Sequence, residues 1–289
     1  MERLKNPRLM LVVSMTAFGT LGLFVRHIPL ASSELALYRA VLAAVMLAGF
    51  FTVTGQKVGL KEIRRELPLL MLSGAAMGFN WILLFEAYKY TTVSVATLSY
   101  YFAPVIVTAA CPLLFREKMG LKQWICFGMS TLGIVLITGI GDLDAQSSHA
   151  LGIAFGLGAA VLYASVILLN KYMKGVTGIR RTFLQFLAAI AVLLPYVLST
   201  SGIHLGQMDL KGWVNLLVVG LVHTGVTYCL YFTALKELPG QEAAILSYID
   251  PLVAVVISVF VLGETMTGMQ LLGGLLILGF TLWNEMKND

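Results

Sequence analysis

Long apolar runs recur along the whole chain, and they restrict its fold more than any other feature of the sequence. Each run holds about 18 to 25 residues, enough at 1.5 Å per residue for a helix to cross a hydrocarbon layer about 30 Å thick. The ten runs cover approximately residues 8–27, 33–54, 67–88, 91–115, 120–140, 149–171, 179–199, 211–235, 239–262 and 267–285. The sequence therefore predicts an all-α membrane protein with ten transmembrane helices, the first of them retained and not cleaved.

The composition excludes an ordinary aqueous domain. Of the 289 residues, 58% are hydrophobic and 12% are charged, whereas soluble domains hold roughly 25% charged residues. Cys111, Cys126 and Cys229 lie in apolar runs without a neighbouring His cluster, so neither a disulfide framework nor a metal site is predicted. No segment has the spacing of a nucleotide-binding loop, and we expect no cofactor and no nucleic-acid partner.

The positive charges predict how the chain is oriented in the cytoplasmic membrane. If the N-terminus is cytoplasmic, sixteen of the 20 Lys and Arg residues fall in cytoplasmic segments. Three fall in outer segments, at Arg26, Lys89 and Lys211, and Arg39 lies within a span. Because cytoplasmic loops are enriched in Lys and Arg, we predict a multi-pass protein with both termini cytoplasmic.

The chain contains an internal repeat, since residues 85–123 align with 232–270 without a gap. The identical pairs are Phe85/Phe232, Ala87/Ala234, Lys89/Lys236, Ala96/Ala243, Tyr101/Tyr248, Pro104/Pro251, Glu117/Glu264, Met119/Met266 and Gln123/Gln270. Each copy has five spans, an odd number, so the second copy enters the membrane from the opposite side. We predict two inverted repeats, residues 1–144 and 145–289, with a substrate site near mid-membrane at their interface.

The repeat also carries a family resemblance. Both copies end in the pattern P…E-x-hydrophobic-x-x-x-Q…G, found at Pro104, Glu117, Gln123 and Gly128 and at Pro251, Glu264, Gln270 and Gly274. With ten spans and twofold repetition, the chain resembles the EamA-type transporters of the drug/metabolite transporter superfamily over almost its entire length. The resemblance implies a ten-helix transporter of small metabolites, with members that move amino acids, sugars or related compounds.

Two prolines interrupt spans that the repeat aligns, Pro104 in the fourth and Pro251 in the ninth. Each lacks an N–H and clashes with the carbonyl four residues earlier, so each is predicted to kink its helix near the bilayer centre. The freed carbonyls of Tyr100 and Ser247 have to face protein or a wet cavity and not lipid. The prolines are either packing kinks or a pair of symmetry-related hinges.

Asp250 stands where the first copy has Ala103. A charged acid in mid-span costs about 2.5–3.5 kcal/mol even on the insertion scale, so Asp250 is predicted to face inward and to have a partner. It lies on a small and polar stripe with Ser247 and Ala254 at helical spacing. Two roles stay open, substrate or ion binding and capping of the backbone at the proline break.

His223 lies about halfway along the eighth span, on one predicted helix face with Thr227. A histidine can shuttle a proton or hold a carboxylate near neutral pH, although a neutral histidine bonded between helices is equally plausible. In the first copy the counterparts of His223 and Thr227 are Ala76 and Asn80. The halves thus offer different chemistry, which an asymmetric substrate requires.

Arg39 in the second span and Glu86 in the third have similar predicted depths near the outer end. They are predicted to form an ion pair between helices. Such a pair either orients the bundle or acts as an outer gate or proton-coupled carboxylate. The family resemblance adds that an arginine in the second helix is common.

Aromatic residues are abundant close to these positions. An aromatic pocket with few polar anchors suits a moderately apolar metabolite, although aromatic side chains in membrane helices are more often packing filler. The predicted substrate-binding or coupling residues are Asp250, His223, Asn80, Trp81, Tyr101, Thr227, Tyr228, Ser247 and Tyr248.

The leading hypothesis is a secondary transporter that moves a small organic metabolite, an amino acid or a related compound, by alternating access. Proton coupling and passive exchange both stay open. The alternatives are an integral-membrane enzyme, which needs converging acid, base or metal ligands, and an ion channel, which needs a filter sequence. The sequence has neither pattern, so we do not predict an enzyme.

Overall fold

The computed structural model describes residues 6–55, 60–115, 119–138, 148–238 and 240–286, and for 60–62, 240, 241 and 244 only the backbone. These residues form helices joined by short connections, without a strand among them. The helices are α1 (Pro7–Val25), α2 (Ser32–Thr54), α3 (Leu60–Tyr90), α4 (Val93–Phe115), α5 (Leu121–Thr138), α6 (Ser148–Tyr172), α7 (Gly178–Ser199), α8 (Leu210–Leu235), α9 (240–261) and α10 (Gly268–Glu285).

Among the described residues, seven helices are long and apolar enough to cross a membrane: α1, α2, α3, α4, α6, α7 and α8. Shorter apolar helices lie in α5 and α9, and α10 has 18 residues. The predicted class, an all-α membrane protein, is confirmed. Glu117 of the first family pattern and the predicted boundary between the repeats, 144/145, lie outside the described residues.

Helix α3 begins at Leu60, before the start of the third predicted span, 67–88. Hydropathy detects the apolar part of a helix, whereas α3 also runs through charged residues and has Pro68 in its interior. This extension carries Glu66, whose carboxylate accepts three backbone N–H groups from the segment before α7, at distances of 2.7 to 3.1 Å. The donors are Lys174, Gly175 and Val176.

Polar residues and glycines mark the helix ends. The Thr92 side chain accepts the Val95 backbone N–H at the start of α4, and Thr267 forms a reciprocal capping box with Gln270 at the start of α10. Gly55, with φ of 64°, follows the end of α2. These contacts satisfy backbone groups that a helix leaves unpaired at its termini.

The bundle has two ends, which we name by the chain termini. The terminal face holds the start of α1 and the end of α10, and the opposite face lies at the other end of these helices. On the terminal face Arg8 forms an ion pair with Glu242 of α9, and the Lys122 ammonium donates to the Met286 carbonyl. These contacts join the first and last helices to their neighbours.

The helix packing pairs the two halves of the chain. Helix α3 packs against α6 and α7, as α8 packs against α1 and α2. Helix α4 packs against α6, as α9 packs against α1, and α2 meets α7 while α5 meets α10. This exchange of partners is expected if the two five-helix halves are related by a twofold axis, as the predicted inverted repeat requires.

Glycines let helices from different halves touch. A Cβ added at Gly133 in α5 would lie 2.6 Å from the Gly273 carbonyl oxygen in α10, and a Cβ added at Gly273 would lie 2.5 Å from the Gly133 carbonyl oxygen. The backbones of α5 and α10 are thus in direct contact. In the same way Gly225 of α8 lies against Met46 of α2.

Candidate functional site

A cavity of about 280 Å³ lies inside the bundle. Its walls come from α1, α2, α3, α4, α6, α8, α9 and α10, so both halves of the chain contribute. The lining includes Tyr163 and Asp250 in the middle of their helices and Glu285, the last residue of α10. The cavity therefore extends from the centre of the bundle toward the terminal face.

Two broken helices pass along the cavity wall. Their segments are α4a (Val93–Tyr100), α4b (Ala103–Phe115), α9a (Gly240–Ser247), α9b (Ile249–Val256) and a π-helical end of α9 (Ile257–Val261). The breaks begin at Tyr101 and Tyr248, each three residues before a proline. Pro104 and Pro251 cannot donate a backbone hydrogen bond, which explains why neither helix is continuous.

Asp250 joins the two breaks. The Tyr101 hydroxyl donates to Oδ2 of Asp250 at 2.7 Å, and the rings of Tyr101 and Tyr248 lie 6.5 Å apart. Among the described residues, the hydrogen bond of this carboxylate is to a side chain of α4 and not to backbone donors at its own break. The geometry thus differs from the capping role that the sequence left open.

Arg39 supplies a positive charge to the same cavity. Its side chain is only 3% exposed, its Nε donates to Thr224 Oγ1 at 2.8 Å, and its guanidinium carbon lies 4.5 Å from the ring centroid of Trp81. Thr224 in turn donates to the Val219 carbonyl at 2.9 Å within a π-helical stretch of α8. One edge of the guanidinium is therefore fixed, and the stacked ring holds its plane.

Aromatic rings form much of the remaining wall. Tyr100 and Tyr163 are stacked with ring centroids 5.2 Å apart, and Phe18 meets Tyr228 edge-on at 5.3 Å. Such pairs pack firmly and present flat apolar surfaces. The site thus combines an aromatic wall with a few fixed polar groups, as small-molecule pockets do.

A polar layer closes the bundle on the opposite face. Glu264, whose side chain is 9% exposed, forms an ion pair with Arg26 and accepts the Val93 backbone N–H at 2.8 Å. Arg26 also donates to the carbonyls of Tyr88, at 3.2 Å, and Thr91, at 2.7 Å. Since Tyr88 lines the cavity, this layer lies directly over it.

His149 extends the closing layer to α6. Its Nδ1 lies 2.8 Å from Thr91 Oγ1, and its Nε2 lies 3.3 Å from the Gln270 amide nitrogen. The Gln270 carbonyl oxygen accepts the Thr267 backbone N–H at 3.0 Å, which directs the amide NH₂ toward His149. The layer therefore connects α1, α4, α6 and α10 in one polar network.

Most of the residues predicted from the sequence lie at the cavity. Those that line it are Arg39, Trp81, Tyr101, Pro104, Tyr228, Ser247, Tyr248 and Asp250. Their proposed roles in binding, coupling or bending stay predictions.

The structure places other predicted residues in helix contacts. The Asn80 amide donates to the Ala159 carbonyl at 2.6 Å, and Thr227 donates to the Val222 carbonyl at 2.8 Å. His223 lies between Thr20, with Nε2 2.9 Å from Oγ1, and the Val218 carbonyl, with Nδ1 3.2 Å from the oxygen.

Pro251 is likewise buried at the α9 break. Asn80, Thr227 and His223 are each at most 3% exposed. Together these contacts favour the structural interpretation of His223.

The predicted ion pair between Arg39 and Glu86 is wrong. Glu86 accepts from the Lys89 ammonium at 2.9 Å on its own helix, whereas Arg39 donates to Thr224 and stacks on Trp81. The Arg39 side chain is buried, whereas Glu86 is partly exposed. Arg39 therefore belongs to the cavity and not to an outer pair.

Sequence reasoning missed the closing layer. Glu264 had a signal, because the repeat aligns it with Glu117, but Arg26 was counted only as an outer loop charge. The side chain of Tyr88 had no distinguishing signal among the many aromatic residues. Within the described part of the chain, no group of three His, Cys, Asp or Glu residues is arranged to hold a metal ion.

The fold and the cavity define a multi-pass membrane protein of the transporter class, with an interior site reached from one face. The chain matches the EamA-like transporter family over residues 7–139 and 150–284, and it belongs to this family.

Similar proteins agree with this assignment. The uncharacterized transporter YxxF of Bacillus subtilis is 30% identical, with 92% of this chain and 85% of that protein covered. An uncharacterized transporter of Archaeoglobus fulgidus is 30% identical, with 95% of each covered. The uncharacterized inner membrane transporter YicL of Salmonella typhimurium is 24% identical, with 95% of this chain and 93% of that protein covered.

A solved crystal structure of a protein has the same fold. It superimposes with a TM-score of 0.65, at 15% sequence identity, and covers 95% of both chains. At this identity the likeness concerns the fold alone.

Proposed function

We propose that the chain is a secondary transporter that moves a small organic metabolite, an amino acid or a related compound, across the cytoplasmic membrane by alternating access. The observation that carries this proposal is a central cavity that reaches toward the terminal face while a polar layer covers it on the opposite face. A carrier needs such a site, open to one side at a time.

In the proposed alternating motion, the opposite face opens and the terminal face closes. In the state described, Glu264 holds α1 and α4 together at the opposite face. Release of these contacts, with closure of the terminal face, would turn the same cavity toward the other side. The breaks at Pro104 and Pro251 supply interrupted backbone hydrogen bonding along the cavity wall, and we propose them as the hinges of this motion.

The proposed orientation places the terminal face in the cytoplasm. The excess of Lys and Arg in the segments on that face supports this orientation, and the name of the Salmonella relative YicL, an inner membrane transporter, supports the same membrane. The state described is then open to the cytoplasm.

The substrate is proposed to be small and partly apolar. The cavity volume of about 280 Å³ and its aromatic walls favour a metabolite of this kind over a polymer or a large lipid. The repeats 1–144 and 145–289 are proposed to contribute one wall each, so the site lies at their interface.

The test is uptake into proteoliposomes that contain the purified full-length chain. A panel of radiolabelled amino acids, sugars and organic cations is assayed with and without a pH gradient, and protein-free liposomes are the control. Saturable uptake of one class supports the proposal, and its acceleration by the gradient supports proton coupling. Electrical currents far above carrier turnover, or absence of uptake for the whole panel, would contradict it.

A further inference from the structure

The closing layer contains a histidine, His149, at the start of α6. Imidazole is the side chain whose charge changes between about pH 5 and 8. The side chain is half-buried, so a proton can reach it from the water on the opposite face. It bridges Thr91, which precedes α4, and Gln270 of α10. The layer thus holds a group that can respond to the pH on that side of the membrane.

The neighbours of His149 accept the neutral imidazole in one tautomer. The Gln270 carbonyl oxygen faces the Thr267 backbone N–H at 3.0 Å, and a backbone N–H can only donate, so the orientation of the amide is fixed. Its NH₂ group therefore points at Nε2 of His149, 3.3 Å away, and Nε2 has to accept. The ring proton is then on Nδ1, which donates to Thr91 Oγ1 at 2.8 Å.

A second proton on the ring would place two donors face to face. Protonated Nε2 would meet the Gln270 NH₂ group at hydrogen-bond distance, where neither nitrogen can accept. The amide cannot turn to offer its oxygen without giving up the capping box at the start of α10. Protonation of His149 therefore removes the link between α6 and α10, whereas its contact with Thr91 can remain.

A protonated His149 would lack a counter-charge in the part of the chain that the structure describes. The titratable and charged groups on the elements around it are Arg26 after α1, Glu86, Lys89 and Tyr90 at the end of α3, and Glu264 before α10. The charged ones already form two pairs, Arg26 with Glu264 and Lys89 with Glu86. Arg26 and His149 both contact Thr91, so a second positive charge would arise close to the first.

We propose that His149 is a proton-binding site that controls opening of the opposite face: it joins α6 to α10 when neutral and releases α10 when protonated. The inference rests on the alternating motion of the proposed function and names what opens that face. The closed state then binds one proton fewer than the open state. The ratio of closed to open molecules therefore falls as the pH decreases, by at most about tenfold per pH unit.

The experiment measures the separation of α6 and α10 at the opposite face. Spin labels are attached to the full-length chain at two exposed positions, as Leu151→Cys and Met269→Cys, after the three native cysteines are replaced by serine. Double electron–electron resonance in nanodiscs gives the distance distribution at about pH 7.5 and about pH 5.5. We expect the fraction of molecules with the longer distance to rise at least about fivefold at the lower pH. An unchanged distribution, or a change in the opposite direction, overturns the inference.

Two histidine variants locate the response. His149→Gln retains an acceptor for Gln270 and a donor for Thr91 but takes up no proton, so its distance distribution is expected to be the same at both pH values. His27→Gln is the matched control, because His27 lies on the same face with Nδ1 2.7 Å from the Leu23 carbonyl oxygen. It is expected to keep the full response. A response retained in His149→Gln, or lost in His27→Gln, overturns the assignment to His149.

Gln270→Glu tests the contact from the other side. Glutamate forms the same capping box with Thr267, and its second carboxylate oxygen would face Nε2 of His149. A protonated imidazole then gains a charge-assisted hydrogen bond in place of the donor conflict. We expect acidification to leave this variant closed. Opening of Gln270→Glu at the lower pH to the same extent as in the unaltered chain would contradict the proposed contact.

Uptake distinguishes this inference from the function on which it rests. If a compound of the panel is taken up and the distance distribution does not depend on His149, the transporter function holds and the proton site is wrong. If the distances respond as expected and no compound is taken up, the proton site holds and the transporter function is wrong.

Discussion

The two broken helices have the same backbone plan and differ in charge at the break. In α4 the residue before Pro104 is Ala103, whereas in α9 the residue before Pro251 is Asp250. The first break has no charged residue before its proline, and the acid of the second accepts a hydrogen bond from Tyr101 of α4. The comparison teaches that the two breaks share their position before a proline and differ in the charge beside it.

Shared geometry with different side chains is also found earlier in each half, in α3 and α8. Trp81 and Tyr228 occupy equivalent positions, and both line the cavity. Their neighbours Asn80 and Thr227 are also equivalent, and both turn away to bond backbone carbonyls. Facing direction is thus common to both halves, whereas the identity of the side chain is not.

Removing the acid should have the largest effect, because it makes the second break resemble the first. Asp250→Ala takes away the carboxyl group at the break and the partner of Tyr101, and the loss of such a contact costs at least about 2 kcal/mol. We expect initial uptake of the substrate into proteoliposomes to fall at least roughly thirtyfold. Glu237→Gln, an exposed acid outside the cavity, is the control. Uptake by Asp250→Ala within about twofold of the unaltered chain would mean that the difference between the breaks has no functional meaning.

The closing layer offers a second contrast, between the two faces. Glu264→Gln removes the charge that Arg26 pairs with, and breaking a partly buried pair is destabilising. We expect the opposite face to open, so that a cysteine at Thr97 reacts about tenfold faster with an impermeant maleimide added from that side.

The labelling is measured after the three native cysteines are replaced by serine. Glu242→Gln, which removes the exposed ion pair of the terminal face, is the control and should leave the rate unchanged. Unchanged labelling in Glu264→Gln would show that the layer does not keep the cavity closed.

The two break tyrosines should differ less. Tyr101 donates to Asp250, and a hydrogen bond to a charged group contributes about 1.5–3 kcal/mol, so Tyr101→Phe is expected to weaken substrate binding about tenfold. Tyr248 contributes its ring at the cavity, and Tyr248→Phe is expected to change binding less than about threefold. Titration of both variants in nanodiscs measures the difference. Equal effects would show that the Asp250 contact is not what distinguishes the halves.

The prolines should give the smallest and most symmetrical effects. If both breaks are hinges, Pro104→Ala and Pro251→Ala should each slow transport turnover by roughly fivefold and leave substrate affinity nearly unchanged. Turnover comes from uptake rates and affinity from equilibrium binding. A change in thermal stability without a change in turnover would identify packing kinks.

The ten helices could be predicted because lipid imposes a simple rule on sequence. A segment that crosses hydrocarbon has to be apolar and has to satisfy its backbone internally, so span and helix coincide. The start of α3 shows where the rule stops. Its first residues lie beyond the apolar part, and Glu66 there is explained by a backbone contact with the segment before α7 that no local pattern encodes.

The site was predictable where an unfavourable residue stood out. Asp250 is an acid in mid-span, and its position at a cavity follows from the cost of exposing it to lipid. Arg39 stood out in the same way, but its partner could not be inferred. Sequence gives the depth of a residue in the membrane, whereas the direction of its side chain depends on how neighbouring helices are rotated.

His223 and Thr227 illustrate a second limit. They share a face if α8 is a regular α-helix, but Val218–Val226 is π-helical. The side chains of both residues contact the backbone carbonyl five residues earlier. The wider turn changes which residues share a face. Tyr228 lines the cavity and Thr227 does not, as Trp81 does and Asn80 does not in α3.

The contact between Gly133 and Gly273 has a mechanical consequence. Two backbones that already touch cannot approach further, and no side chain separates them. The crossing of α5 and α10 thus sets the shortest distance to which the last helices of the two halves can approach. In the alternating motion proposed above, a small rotation at this contact would become a larger displacement at the far ends of α5 and α10.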